Sequence, residues 1–405
     1  ALGLFADIAL ALSGAGASAT NVVLGDVLAE IRDSVVTAAS DVKVSADSTN
    51  SIAATIVAAS IGVGAGTQMG AGASLGAALA RNFIGADPSY QGRRANHVSG
   101  LDRAATIATG ETVQLGPEAG LRAGEFYEYV GQTPLIEADT DGDGVAEDLI
   151  LTQDFSNTAR WKQLVAEKPA LIAARLVGSS VSALADAIPT LDLSVKASDT
   201  QSVKALTLAG SVAIAGGSNA GLALSGAGAS AVNRVAVQTE ALITSSKAAG
   251  IDIDGNLDVV ALSSASIESS VMGISVAAAY GSFAAALSIG VSLADNLIGG
   301  GARAVIEGTV LQVNGDVAIQ ADDVSTITST SVAAAVAIAA SQSGVAAAGG
   351  GANSFNTSTA TIAARLGRDL ADGSSTPETT LALKGSLKIL ASGKAGCNRC
   401  SAGVE

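Results

Sequence analysis

The residues best placed to do chemistry form an acidic run. Asp139, Asp141 and Asp143 stand at alternate positions, with Gly144, Val145 and Glu147 behind them. Carboxylates at the first, third and fifth places of a loop, with a glycine at the sixth, can wrap oxygen ligands around Ca²⁺. Val145 would offer its carbonyl and Glu147 falls at the ninth place. The pattern departs at the twelfth place, where Ile150 replaces the usual bidentate acid; Asp148 is the nearest substitute. Clustered carboxylates repel one another without a cation, which favours calcium as a cofactor. The same residues also make a good solvated turn, because Asp-Gly pairs are turn sequence. Both readings stay open at this stage.

The other chemical groups are sparse. Cys397 and Cys400 form a CxxC spacing at the far end of the chain, and no other cysteine exists. No βαβ pattern surrounds them, so a local disulfide or an unstructured tail is expected ahead of redox or metal chemistry. The single histidine, His97, has no nucleophile motif to serve and reads as a loop residue, beside the small basic patch of Arg93, Arg94 and Arg103. Phe126, Tyr127, Tyr129 and Trp161 could form a platform for carbohydrate or protein, but more simply the core of a small module. Asn356-Thr357-Ser358 has the form of a glycosylation sequon and carries little weight.

Composition excludes several classes. The formal charge is −15, so binding to a phosphate backbone is not expected. Only 3% of residues are aromatic, while 47 are glycine. The apolar surface is therefore many small groups, and stability should come from regular, closely spaced backbone. The chain opens at Ala1 without a signal peptide, which is expected of a processed chain or a piece of a longer one.

The elements that carry these residues read as strands. Four stretches hold no charge: Ser48 to Ala80, Ala205 to Asn233, Ser269 to Ala294 and Val324 to Ala364. Their length alone would suit membrane helices, but Gly, Ser, Thr, Asn and Gln are frequent and Leu is scarce. The period is also two: Val212 and Ile214 alternate with Ala, and Leu287, Ile289, Val291 and Leu293 alternate with small residues. A two-residue period means strands, so no transmembrane helix is expected.

Three markers recur along the chain. Small-residue runs end in Asn21, Asn82, Asn233, Asn296 and Asn356. A strand-like phrase starts at Asp41, Asp192, Asp258 and Asp316, with a shorter copy from Ser386. Ile31, Ile243 and Ile306 follow their asparagines by ten positions. Consecutive asparagines lie 61, 63 and 60 residues apart, except for the 151 between Asn82 and Asn233. One unit therefore carries an insertion of about 89 residues, expected between Gly100 and Pro189, where five of the eleven aromatics fall. The expected organisation is repeats over 1–99, an inserted aromatic-containing module with the acidic loop over 100–190, and repeats with a tail over 191–405.

The fold expected is all-β: a parallel β-solenoid of degenerate units of about 60 residues. With strands of about five to eight residues, each unit would make about three coils of roughly 20 residues. The five asparagines are expected to stack as a structural ladder, since identical residues superpose in successive coils. The alternative is a pair of long packed sheets of Ala/Gly/Ser strands.

The repeats resemble those of giant bacterial surface proteins of the filamentous-haemagglutinin kind, in which a phrase like DVxVxAxDxSxI precedes an Ala/Gly/Val run, an Asn and AxI. The insertion resembles a companion module of such proteins through GETVQL at Gly110, FYEYVG at Phe126 and DFSNTARWKQL at Asp154. The resemblance implies a secreted, extended, repetitive protein of the cell surface or of a filament, and no particular ligand. The function expected is thus extracellular, structural and adhesive, without catalysis, with self-association end to end or side by side. Two other readings remain: a stalk presenting the 100–190 module to carbohydrate or protein, and a β-helix enzyme acting on polysaccharide.

Overall fold

The computed structural model describes residues 2–4, 7–86, 95–99, 106–115, 126–136, 149–150, 152–155, 157–164, 169–184, 190–244, 250–367 and 378–404, with backbone alone at 163 and 397–404. The described residues are strands and turns, without helix. The first coil is β1 (Leu2–Leu4), β2 (Ile8–Val23), β3 (Val27–Arg32) and β4 (Val35–Ala38). The second opens with β5 (Val42–Ala65) and β6 (Met69–Ile84). An inserted module follows, with β7 (His97–Val98), β8 (Thr106–Ile107), β9 (Thr112–Gln114), β10 (Phe126–Tyr129), β11 (Leu135–Ile136) and β12 (Trp161–Leu164). The second coil then resumes with β13 (Ala170–Val177) and β14 (Ser180–Ala183). The third coil is β15 (Leu193–Gly216), β16 (Ala220–Thr244) and β17 (Ile251–Ile253). The fourth is β18 (Leu257–Tyr280), β19 (Phe283–Glu307) and β20 (Val310–Val313). The fifth is β21 (Val317–Ala340), β22 (Ser343–Leu366) and β23 (Thr380–Leu383), and β24 (Leu387–Val404) follows it.

The coils stack in parallel into three sheets. One runs β1-β5-β15-β18-β21-β24 and another holds β2, β6, β16, β19 and β22, with β3 and β13 beside the end of β16. The third, β4-β14-β17-β20-β23, is built of short strands. This is a β-solenoid, but each repeat unit makes one coil and not three. The strands run to 24 and 25 residues, far longer than the short strands expected. Each coil goes out along one long strand, turns tightly and returns along another. The two long packed sheets and the solenoid are therefore the same object.

The coil corners explain part of the repetition. Asp33, Gly178, Gly308 and Gly367 lie at the turn into the third sheet, all with positive φ. Such a turn needs a left-handed residue, which glycine adopts without a Cβ penalty and Asp tolerates. At the next corner Asp192 Oδ1 accepts the backbone N–H of Asn256, Asn256 Oδ1 accepts that of Asp316, and Asp316 Oδ1 accepts that of Ser386, at 2.7, 2.8 and 2.7 Å. Asn256, and not Asp258, is thus the equivalent of Asp192. The phrase placed at Asp258 begins two residues earlier, because an amide oxygen serves there as well as a carboxylate.

The insertion is also displaced from its expected bounds. Ile84 stands opposite Val235 and Ala170 opposite Val237, so the coil is interrupted only across 86–169. Strands β13 and β14 belong to the solenoid. The spacing of the asparagines gives the size of an insertion but not its position within the unit. The module has its own sheets, β12-β10-β9-β7 and β11-β8, which share no strand with the coils. Its core gathers Ile107, Val113, Tyr129, Ile150, Phe155 and Trp161.

Where the three sheets meet, the coils enclose a body with a conventional aliphatic core of Val, Ile and Leu. Val44, Val195, Val259 and Ile319 form one of its rows, and Ile31, Leu176, Ile243 and Ile306 another. Beyond the body, the two long sheets continue alone as a thin two-layered blade.

Candidate functional site

The blade arises from a change of phase within each long strand. In a strand, alternate side chains face opposite sides. Along the first half of β15, Val195 and Val203 point inward and Lys196 and Lys204 outward. Past Lys204 the large residues shift by one position. Leu206, Leu208, Val212 and Ile214 now point outward, while Ala205, Ala209, Ala213 and Ala215 point in. The same inversion occurs in β5, where Ile52 is buried and Val57 and Ile61 are exposed, and in β21, where Ile327 is buried and Val336 and Ile338 are exposed. In the second long sheet Leu12, Leu75, Leu224 and Leu287 lie outside, while Val235, Val237 and Ile243 lie inside.

Beyond a base row of Ile56, Thr207 and Val271, the interior of the blade admits only small groups. A Cβ placed on Gly64 would lie 2.0 Å from the carbonyl oxygen of Ala71, and one on Gly72 would lie 2.4 Å from that of Ile214. Those oxygens belong to the facing sheet's backbone, so the two layers touch almost chain to chain. Serine hydroxyls bridge them: Ser225 to Ser211 at 2.9 Å, Ser288 to Ser275 at 2.8 Å, Ser354 to Ser329 at 2.6 Å, and Ser60 with Ser74. The blade is therefore small and partly polar inside, and apolar outside. Leu75 is 62% exposed and Ile61 58%, on opposite faces. One face carries a shallow groove of about 740 Å³ among Leu12, Leu75, Leu224, Leu287, Ile289 and Val291, floored by Gly14 and Gly226. Exposed apolar area on this scale marks an interaction surface.

The five asparagines stand in one row where the blade joins the body. Asn21 donates to Asn82 at 2.8 Å, Asn82 to Asn233 at 2.7 Å, Asn233 to Asn296 at 2.8 Å and Asn296 to Asn356 at 2.8 Å. The middle three are fully buried. Each of the middle three amides gives and takes one side-chain bond, so the row satisfies groups that would be costly to bury alone.

A second polar row was not singled out by its sequence. Asp199 and Asp323 are buried on either side of Ser263 in the register of β15, β18 and β21. Thr239 donates to Asp199 across the body, and Ser325 donates to Asp323 at 2.7 Å. Burial pushes the Asp199 carboxyl up to about 6, against the opposing pull of the Thr239 bond. The signal available was an acid in phase with the buried valines. On the body's outer wall Glu240 accepts from Arg175 at 2.7 Å and faces Arg303 at 3.8 Å, linking three consecutive coils.

The other chemical residues are dispersed. Asp139, Asp141, Asp143, Val145 and Glu147 lie outside the described residues, as do Arg93, Arg94 and Arg103. Cys397 and Cys400 fall on β24, opposite Ile327 and Thr330, with side chains outside the description. His97 sits on β7 with Nε2 3.2 Å from Glu111. Bonds from the Ala108 backbone and from His97 hold the Glu111 carboxyl below its usual range. The aromatic cluster is core and not a platform: Trp161 is 2% exposed and packs on Tyr129 and Phe155 at 5.0 and 4.7 Å. Among the described residues no three His, Cys, Asp or Glu side chains gather as a metal site, and no helix is long and apolar enough to cross a membrane. No family model, curated protein or solved structure matches the chain.

Proposed function

We propose that the chain is an extracellular structural and adhesive repeat protein, a rod of stacked coils that works without catalysis. The observation that supports this reading is the unbroken register of the long strands from coil to coil, with the asparagine row passing through all five. At the two ends of that stack β2 and β22 each have one long neighbour. A strand edge of this length is a template for another coil, whether from the same chain or a second copy. Electron micrographs of the purified chain, together with its mass in solution, test the proposal. Rods whose length grows with concentration support it; globular monomers at every concentration refute it.

A second reading, a stalk that presents the inserted module to carbohydrate or protein, is favoured by the module's separate core and sheets. Calcium at Asp139, Asp141, Asp143, Val145 and Glu147 belongs with it, since the loop lies within that module. The melting temperature should rise in millimolar calcium relative to chelator, and an unchanged value would remove calcium from the account.

A further inference from the structure

We propose that the blade is a lipid-inserting element, and that its partner is the acyl-chain interior of a phospholipid bilayer. Both outer faces are apolar on the second, third and fourth coils, and among the described residues no other segment covers either. A second copy seated on one face would leave the other in water, whereas lipid covers both at once. The dimension also fits. From Leu206 to Ile214 the band of large aliphatics spans about 26 Å at the strand rise, close to the apolar band of roughly 25 Å that lipid-facing sheets present.

The borders of the band have the chemistry of the membrane interface. At its base stand the charged Lys204, Glu268, Arg81 and Asp295. Between them and the tip β2, β5, β6, β15, β16, β18, β19, β21 and β22 carry no charge, while on β24 Arg399 stands opposite Ser329, just past the base. At the tip Tyr280 and Phe283 are exposed beside polar turns, as interfacial aromatics are. The tip's one acid among the described residues, Asp7, accepts from Thr67 at 2.9 Å.

The interior agrees. Hydrocarbon requires polar groups to be satisfied internally. The strands pair throughout the sheets, and four pairs of serine hydroxyls bond between the layers; Thr207 and Ser331, at the base of the blade, are buried hydroxyls that find no partner among the described residues. A water-facing sheet would put those hydroxyls outside and the leucines inside. The outer edges of β2 and β22 are the unfavourable part of such an insertion, and coil-on-coil stacking would pair them. That last point, unlike the insertion itself, rests on the rod reading.

The test uses the full chain, neutral phosphatidylcholine vesicles and high salt, so that charge attraction plays no part. Tryptophan is introduced in two separate variants, Leu224→Trp and Ile214→Trp, one on each face. Trp161, buried in the module, serves as the unquenched reference. The expected result is that the protein floats with the vesicles and that brominated acyl chains quench both added tryptophans. A chain carrying Ile214→Lys and Leu224→Lys together should float at least about tenfold less, since a lysine on a lipid face is strongly unfavourable. Its circular dichroism should be unchanged, because both positions are exposed. Folded wild-type protein left in the aqueous fraction would overturn the proposal. So would one added tryptophan becoming shielded without lipid, in step with protein concentration, which would assign that face to a second copy. Rods seen in lipid-free micrographs stand or fall apart from either result.

Discussion

The body and the blade are made by the same strands, yet they are stabilised in opposite ways. In the body Val, Ile and Leu fill a space between three sheets, and removal from water is the main stabilising term. In the blade, beyond a base row of Ile56, Thr207 and Val271, the two layers approach so closely that Ala, Ser and Gly are the largest groups admitted. There the dominant contributions are dispersion across a thin interface and the continuous backbone ladder. A shift of one residue in the phase of the large side chains is enough to convert one region into the other.

The contrast can be broken from each side, beginning with the largest expected effect. Removing bulk should harm the body. Ile243→Ala empties part of a fully buried row and should lower stability by about 2–5 kcal/mol, measured by denaturant unfolding. Its surroundings on neighbouring coils are equally packed, so little collapse can refill the space.

The body also holds a charge that the blade does not. Asp199 has an ordinary carboxyl value of 3.8 and a folded value of about 6, raised mainly by burial. Because the folded value is the higher, its contribution is fully present below about pH 4 and is lost as pH rises through 6. The loss is about 3 kcal/mol by pH 8. Asp199→Asn should therefore match the parent at pH 4 and exceed it by about that amount at pH 8, read as the difference between urea midpoints. A gap independent of pH would mean that the carboxyl is not the source.

Adding bulk should harm the blade. Gly72→Val places a Cβ 2.4 Å from a backbone oxygen of the facing sheet, which cannot swing away as a side-chain tip could. The expected loss is about 1–3 kcal/mol. Hydrogen exchange should speed up in the distal halves of β6 and β15 and leave the body's amides protected.

These regions were unequally legible in the sequence. The asparagines announced a stacked repeat because one side chain at one spacing has one simple use, a hydrogen-bonded row. The strand period was equally plain. Coil size was not, because a run of alternating small residues gives no sign of where a strand ends; only Gly217-Ser218-Asn219 and its counterparts turn the chain. The phase inversion was present as a switch of parity, from Val195 and Val203 at odd positions to Leu206, Leu208, Val212 and Ile214 at even ones. Period two alone does not say which face is buried, and the larger residue is ordinarily taken to face in. Asp199 escaped for a related reason: acids are read as solvated unless their phase against the buried valines is followed.

The smallest expected effect is the most discriminating. Leu206→Ser removes one of the larger apolar side chains from a long strand, and in the body such a change would be severe. Leu206 is 39% exposed, however, and Lys204 and Thr55 beside it on the outer face are exposed too. Substitution there should move stability by less than about 0.5 kcal/mol, as at ordinary surface positions. Val203→Ser, three residues earlier on the same strand, empties a fully buried site and leaves a hydroxyl among aliphatics, which should cost about 1–3 kcal/mol or more. Equal losses at the two positions would mean that the face bearing Leu206 is buried in solution, against another molecule. Unequal losses of the expected kind would place the parity switch between Val203 and Leu206.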